Sequence, residues 1–156
     1  MTGLKRDRIQ TEATGMGRRI AVPLFVAALT ADLVSKSLAV AYDPHVYFHA
    51  VAGELPRRVV MCAVAVAGAI AVTHVAARRG FGRPWGAWIG APLLVAGVLG
   101  NGLSVVIWSR GVPDFIVTGD WIGNLADFEI FFGIVGGFLA LIVGFCLTYA
   151  RAALAR

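Results

Sequence analysis

Acidic residues are scarce in this chain: nine of 156, against fourteen Lys and Arg. Charge of either sign is thin, at 15%. A soluble domain of this length would carry more polar surface. Cysteine and histidine are also few, two and three respectively. Two cysteines build no disulfide framework, and no HExxH or paired-cysteine spacing marks a metal site. His45 and His49 stand four apart and would share a face if the segment were helical. Asp43-Pro44 argues instead for a turn at its start, so no metal and no cofactor is expected. Internal repeats and low-complexity runs are missing as well.

Apolar residues make up 58% of the chain, and mean hydropathy is +0.77. Four runs, roughly 18–41, 58–77, 86–108 and 127–150, meet the requirement of about 20 mostly apolar residues for a spanning helix. The sequence therefore predicts an all-α membrane protein, a four-transmembrane-helix bundle forming a single domain over 1–156. Residues 1–17 form a polar tail. Asp32 and Lys36 interrupt the first run where a cleavable signal would be apolar, so that segment is read as retained. Lys5, Arg6, Arg8, Arg18 and Arg19 precede the first run. Arg78, Arg79 and Arg83 follow the second, and Arg151 and Arg156 close the chain. The two other loops share only Arg57, Arg58 and Arg110. This asymmetry places both termini in the cytoplasm and the loops 42–57 and 109–126 outside. It also accounts for the net charge of +5 without a nucleic-acid partner. Cys62 and Cys146 then lie more than ~20 Å apart in depth, too far to bridge.

The stretch from Gly100 to Glu129 holds four of the nine acidic residues. Pro113 forces Val112 to be extended, and the β-branched residues that follow suit a strand. Asp114 thus sits on an extended segment near the membrane face. Asn124 reads as the N-cap of the fourth helix with Asp127 at N3, a near capping box. Asp120, in TGDW, reads as a solvated loop acid. Glu129 is expected to face away from Asp127. In the first outer loop, alternating Val46, Phe48 and Ala50 allow a short strand or interfacial segment. In the first helix Asp32 and Lys36 share a face, acid first, the better order for an ion pair. Each intramembrane charge costs ~2.5–3.5 kcal/mol on insertion scales, so a retained pair points either to a structural pin or to a polar cavity. Asn101, within the third helix, needs a partner for the same reason. A Ser104–Lys36 nucleophile is disfavoured because Lys36 is already matched to Asp32. Gly86 and Gly90, and Gly133 and Gly137, offer small faces for close helix packing.

Taken together, these residues resemble the lipoprotein signal peptidases, the type II signal peptidases of bacteria. Asp32-Leu33-Val34-Ser35-Lys36 matches the family's D-x-x-S/T-K. Gly100-Asn101 matches the start of its G-N-x-x-D-R. Val112-Pro113-Asp114-Phe115 matches V-x-D-F/W, and Asn124-Leu125-Ala126-Asp127 matches N-x-A-D. The resemblance implies an intramembrane aspartic endopeptidase in the bacterial inner membrane, acting on the extracytoplasmic side. It implies a catalytic pair, Asp114 and Asp127, supported by Asp32, Lys36, Asn101, Asn124 and Ala126. It implies as substrate the signal segment of a diacylglyceryl-modified prolipoprotein, met within membrane lipids by a monomer without cofactor. The chain departs from the family at Ser104 and Val105, which stand where Asp-Arg is usual, and Arg110 is the nearby candidate for the missing cation. The family's first-loop N-x-G-x-A-F box is reduced to Gly53, and Gly123 replaces an aromatic. These departures leave open a catalytically impaired relative that binds signal segments, lipid or an inhibitor. A small proton-coupled transporter, with Asp32 and Lys36 as a relay, is the further alternative.

Overall fold

The computed structural model describes residues 2–49, 55–78 and 85–154. The fold is mostly helical, with α1 (Thr2–Tyr42), α2 (Leu55–Arg78), α3 (Trp85–Ile107) and α4 (Leu125–Leu154). Helix α1 continues N-terminally through the polar tail, further than the hydropathy pattern marks. Among the described residues, three stretches are long and apolar enough to cross a membrane: Arg19–Tyr42, Trp88–Ile107 and Leu125–Leu154. Helix α2 has the length of a span, but its described apolar stretch is the shorter Val59–Ala69.

Helix α3 is the axis, and α1, α2 and α4 all pack against it. Glycine makes the α3–α4 contact close. A Cβ at Gly90 would stand 2.8 Å from the Gly133 carbonyl oxygen, and one at Gly133 would stand 2.8 Å from the Gly90 carbonyl oxygen. The backbones therefore touch where any side chain would hold them apart. Cys62 packs on the same axis, its thiol 3.3 Å from the Val98 carbonyl oxygen. Cys62 and Cys146 form no disulfide.

The chain is polar within and apolar without. Among the described residues, the largest fully buried side chains are Lys36, Asn124, Asp32, Pro113 and Ser104. Phe131, Phe132, Phe138, Leu139 and Phe145 of α4 are exposed. In water this distribution would be costly, since each such apolar side chain forgoes ~1.5–3 kcal/mol by staying exposed. In lipid the same surface is matched to its solvent.

Short strands cover one end of the bundle: β1 (Tyr47–His49), β2 (Val112–Asp114), β3 (Ile116–Thr118) and β4 (Trp121–Gly123). Strands β1 and β2 pair antiparallel, with Tyr47 opposite Asp114, Phe48 opposite Pro113 and His49 opposite Val112. Strands β3 and β4 form a hairpin closed by Gly119 and Asp120, with Gly119 at φ 59°. A two-residue hairpin needs positive φ there, which glycine adopts without a Cβ penalty. Asp120 is exposed at the tip, as a loop acid should be. Because Tyr47–His49 is a strand, His45 and His49 lack the helical spacing that a shared ligand face would need. The first-loop segment 50–54, which includes Gly53, lies outside the described residues.

Candidate functional site

The strands, α3 and the start of α4 line an open cavity of about 300 Å³. Lys36 lies six residues before the end of α1, and Asn101 six before the end of α3. At ~1.5 Å per residue both stand ~9 Å below those ends. Helix α4 starts at Leu125, so Asp127 enters from its first turn at the same end. The cavity is lined by the carboxyls of Asp114 and Asp127, the amides of Asn101 and Asn124, the His49 ring, and an apolar wall of Val112, Trp121 and Ile122.

One chain of contacts runs to Asp127. Lys36 Nζ donates to Asp32 Oδ2 at 2.8 Å and to Asn101 Oδ1 at 2.8 Å. Asn101 Nδ2 in turn donates to Asp127 Oδ1 at 3.0 Å. The lysine thus fixes which way the Asn101 amide points, and presents its donor end to Asp127. Asp32 ties this chain to α4, since its Oδ1 accepts the Ala126 backbone N–H at 3.0 Å. That N–H is one of the four at a helix start with no partner of its own, and a carboxylate there also meets the favourable end of the helix dipole. Gly100 makes room for this arrangement, because a Cβ there would collide with the Asp32 carboxyl.

Asn124 couples the two cavity aspartates. Its backbone N–H donates to Asp127 Oδ2 at 3.0 Å. Its side-chain Nδ2 donates to Asp114 Oδ1 at 2.5 Å. The expected capping box is therefore half formed: the N3 carboxylate reaches back to the N-cap N–H, but the N-cap side chain turns to Asp114. Asn124 is 1% exposed, and its Oδ1 has no partner. The remaining oxygen of Asp114, Oδ2, meets His49 Nδ1. Asp114 is 4% exposed, held on β2.

Asp114, Asp127, Asn101 and Asn124 therefore share one cavity, with Asp32, Lys36 and Ala126 directly behind it. Arg110 is not among the lining residues; its guanidinium sits 4.1 Å over the Phe48 ring, on the other face of β1. Ser104 is buried with its hydroxyl donating to the Gly100 carbonyl oxygen at 2.6 Å, an ordinary intrahelical bond. Trp121 fills the space beside Gly123: a Cβ at Gly123 would strike its ring and approach Asp127 Oδ2 to 2.7 Å. Trp121 also packs edge-on against Phe128, centroids 5.3 Å apart.

Two residues escape the sequence reading. His49 enters it only as half of a helical pair, although the alternation of its neighbours already allows a strand. Glu129 does point away from Asp127, but not to solvent: it is 6% exposed, and Oε2 is buried without a partner. Its Cβ lies 3.0 Å from the position a Cβ on Gly97 would take, so it is wedged against α3. No local sequence signal marks that burial.

Comparison with protein-family models, with curated proteins and with solved structures finds no match to this chain.

Proposed function

We propose that this chain is an intramembrane aspartic endopeptidase of the signal peptidase II type, which removes the signal segment from a lipid-modified prolipoprotein. The observation that carries the reading is the placing of Asp114 and Asp127 in one cavity, cross-linked through Asn124. In this reading the chain spans the bacterial cytoplasmic membrane four times with both termini inside. The cavity opens at the extracytoplasmic face, where the scissile bond lies at the end of a transmembrane signal segment. The exposed apolar flanks of α4 let such a segment approach laterally through lipid.

Two neighbouring carboxyls hold one proton between them more easily than none or two. Water adds to the scissile carbonyl carbon as one of its protons passes to Asp127. Asp114 gives its proton to the carbonyl oxygen. In the collapse that follows the C–N bond breaks, one hydroxyl proton returns to Asp114, and the proton on Asp127 moves to the leaving nitrogen. The products are a carboxylic acid and an amine, and both aspartates are back in their starting states. No covalent intermediate forms.

The test is cleavage of a diacylglyceryl-modified precursor in proteoliposomes by Asp114→Asn and Asp127→Asn. Each is expected to reduce turnover at least ~10²-fold while the helical fold is retained. Retained cleavage in either variant would rule out the dyad. A non-catalytic binder of signal segments is the second reading, favoured by the absence of any Lys or Arg from the cavity lining among the described residues. It is distinguished by a wild-type protein that retains the precursor without cutting it.

A further inference from the structure

The four oxygens of the two aspartates each have a partner, and the partners are not equivalent. Asp127 receives an amide from Asn101 and a backbone N–H from Asn124. Neither donor releases its proton. Asp114 Oδ1 receives the Asn124 amide, which is equally fixed. Asp114 Oδ2 faces His49 Nδ1, and this is the single contact of the pair across which a proton can pass either way. We propose that His49 is the proton-loading residue of this site. His49 and Asp114 together hold the one proton that the dyad requires, and His49 exchanges it with the outer solution.

The strand register supports this. His49 stands opposite Val112 on the β1–β2 ribbon, so Asp114, two residues on, lies on the same face and within diagonal reach. The His49 side chain is 64% exposed while the side chain of Asp114 is 6% exposed. The ring therefore spans from the buried acid to solvent: Nδ1 at the carboxyl, its other nitrogen open to water. Among the described residues, the ionisable groups facing the ring are Asp114 from β2 and, across the cavity, Asp127 from α4. Behind Asp127 stand Lys36 and Asp32 of α1, matched to each other. Arg110 is on the opposite face of β1, over Phe48.

The steps balance. A proton taken from water by the outer ring nitrogen is matched by transfer of the Nδ1 proton to Asp114 Oδ2, leaving neutral imidazole and a protonated carboxyl. During attack that carboxyl passes the proton to the substrate carbonyl oxygen. A proton lost from the buried Asp114 carboxyl is thus replaced from solution through the exposed His49 ring. His49 acts through Asp114 and touches no substrate atom; it is a positioning residue for the proton, and its role rests on the aspartic-dyad reading.

The decisive variant is His49→Asn, whose amide replaces the Nδ1 donor but carries no exchangeable charge. In proteoliposomes with the lipidated precursor, H49N is expected to lose at least ~10-fold in turnover above neutral pH and to recover as pH is lowered. In His49→Ala, added imidazole is expected to restore turnover in proportion to its concentration. An equal loss at every pH without imidazole rescue would reduce His49 to a structural contact and overturn the proposal, as would no loss at all. A second measurement is independent of cleavage. Nitrogen-15 NMR of the histidine rings of the whole protein in nanodiscs should show a hydrogen-bonded Nδ1 proton on His49 that vanishes in Asp114→Asn. That signal in a protein that cuts nothing would refute the peptidase reading and leave the proton pair standing. Cleavage without that signal would refute the proton pair alone.

Discussion

Replacing Lys36 by Met removes the one cation buried among the acids described in this fold, and it separates stability from function. Lys36 and Asp32 are both fully buried and paired at 2.8 Å. Breaking a buried pair from one side strands the other charge, which costs ~3–5 kcal/mol. The Ala126 N–H remains on Asp32 Oδ1 and offsets part of this, so the lower half of that range, about 3–4 kcal/mol, is expected. In the double variant Asp32→Asn with Lys36→Met no charge is stranded, and the carbonyl of the introduced asparagine can still accept from Ala126. The double variant should regain at least ~2 kcal/mol of the loss. Function should not return with stability. Without Lys36 nothing fixes the Asn101 amide, and Asp127 loses a donor worth ~1.5–3 kcal/mol, or about tenfold to hundredfold in turnover. The assay is reversible unfolding in mixed micelles, followed by helical circular dichroism, alongside cleavage of the lipidated precursor. A single variant within ~1 kcal/mol of wild type, or a double variant no more stable than the single, would refute the reasoning.

Glu129→Met should stabilise the protein by ~1–3 kcal/mol in the same unfolding assay, because it removes a buried carboxyl oxygen that has no partner. A loss of stability would mean that the carboxyl is held by a group not evident from its surroundings. Gly133→Val places a branched side chain where the α3 backbone now lies, with a Cβ 2.8 Å from the Gly90 carbonyl oxygen. At least ~1–3 kcal/mol of overpacking is expected, and a wild-type unfolding midpoint would show that the two helices separate freely.

Three of the four expected spanning runs, and the apolar surface, were legible in the sequence because solvation in a membrane would act on composition, residue by residue, over windows of about 20. So were the Asp32–Lys36 pair, fixed by helical spacing alone, and the extended course of the chain around Pro113, fixed by sterics at one residue. The start of α4 at Leu125 was equally local, although the cap was only half as read: Asn124 spends its side chain on Asp114, a partner ten residues back on another element.

What tertiary structure decided is which polar groups meet. Lys36 reaches Asn101 across 65 positions, and His49 reaches Asp114 across 65. Asp32 receives the Ala126 N–H across 94. No window of sequence contains such pairs. They exist because glycines let α3 and α4 touch, because Gly100 admits the Asp32 carboxyl, and because the β1–β2 register sets His49 diagonally across from Asp114. Hydrophobic matching to lipid is a sum over single residues and can be read along the chain. A hydrogen bond between helices depends on the distance and angle of two atoms, and only the packed fold sets those.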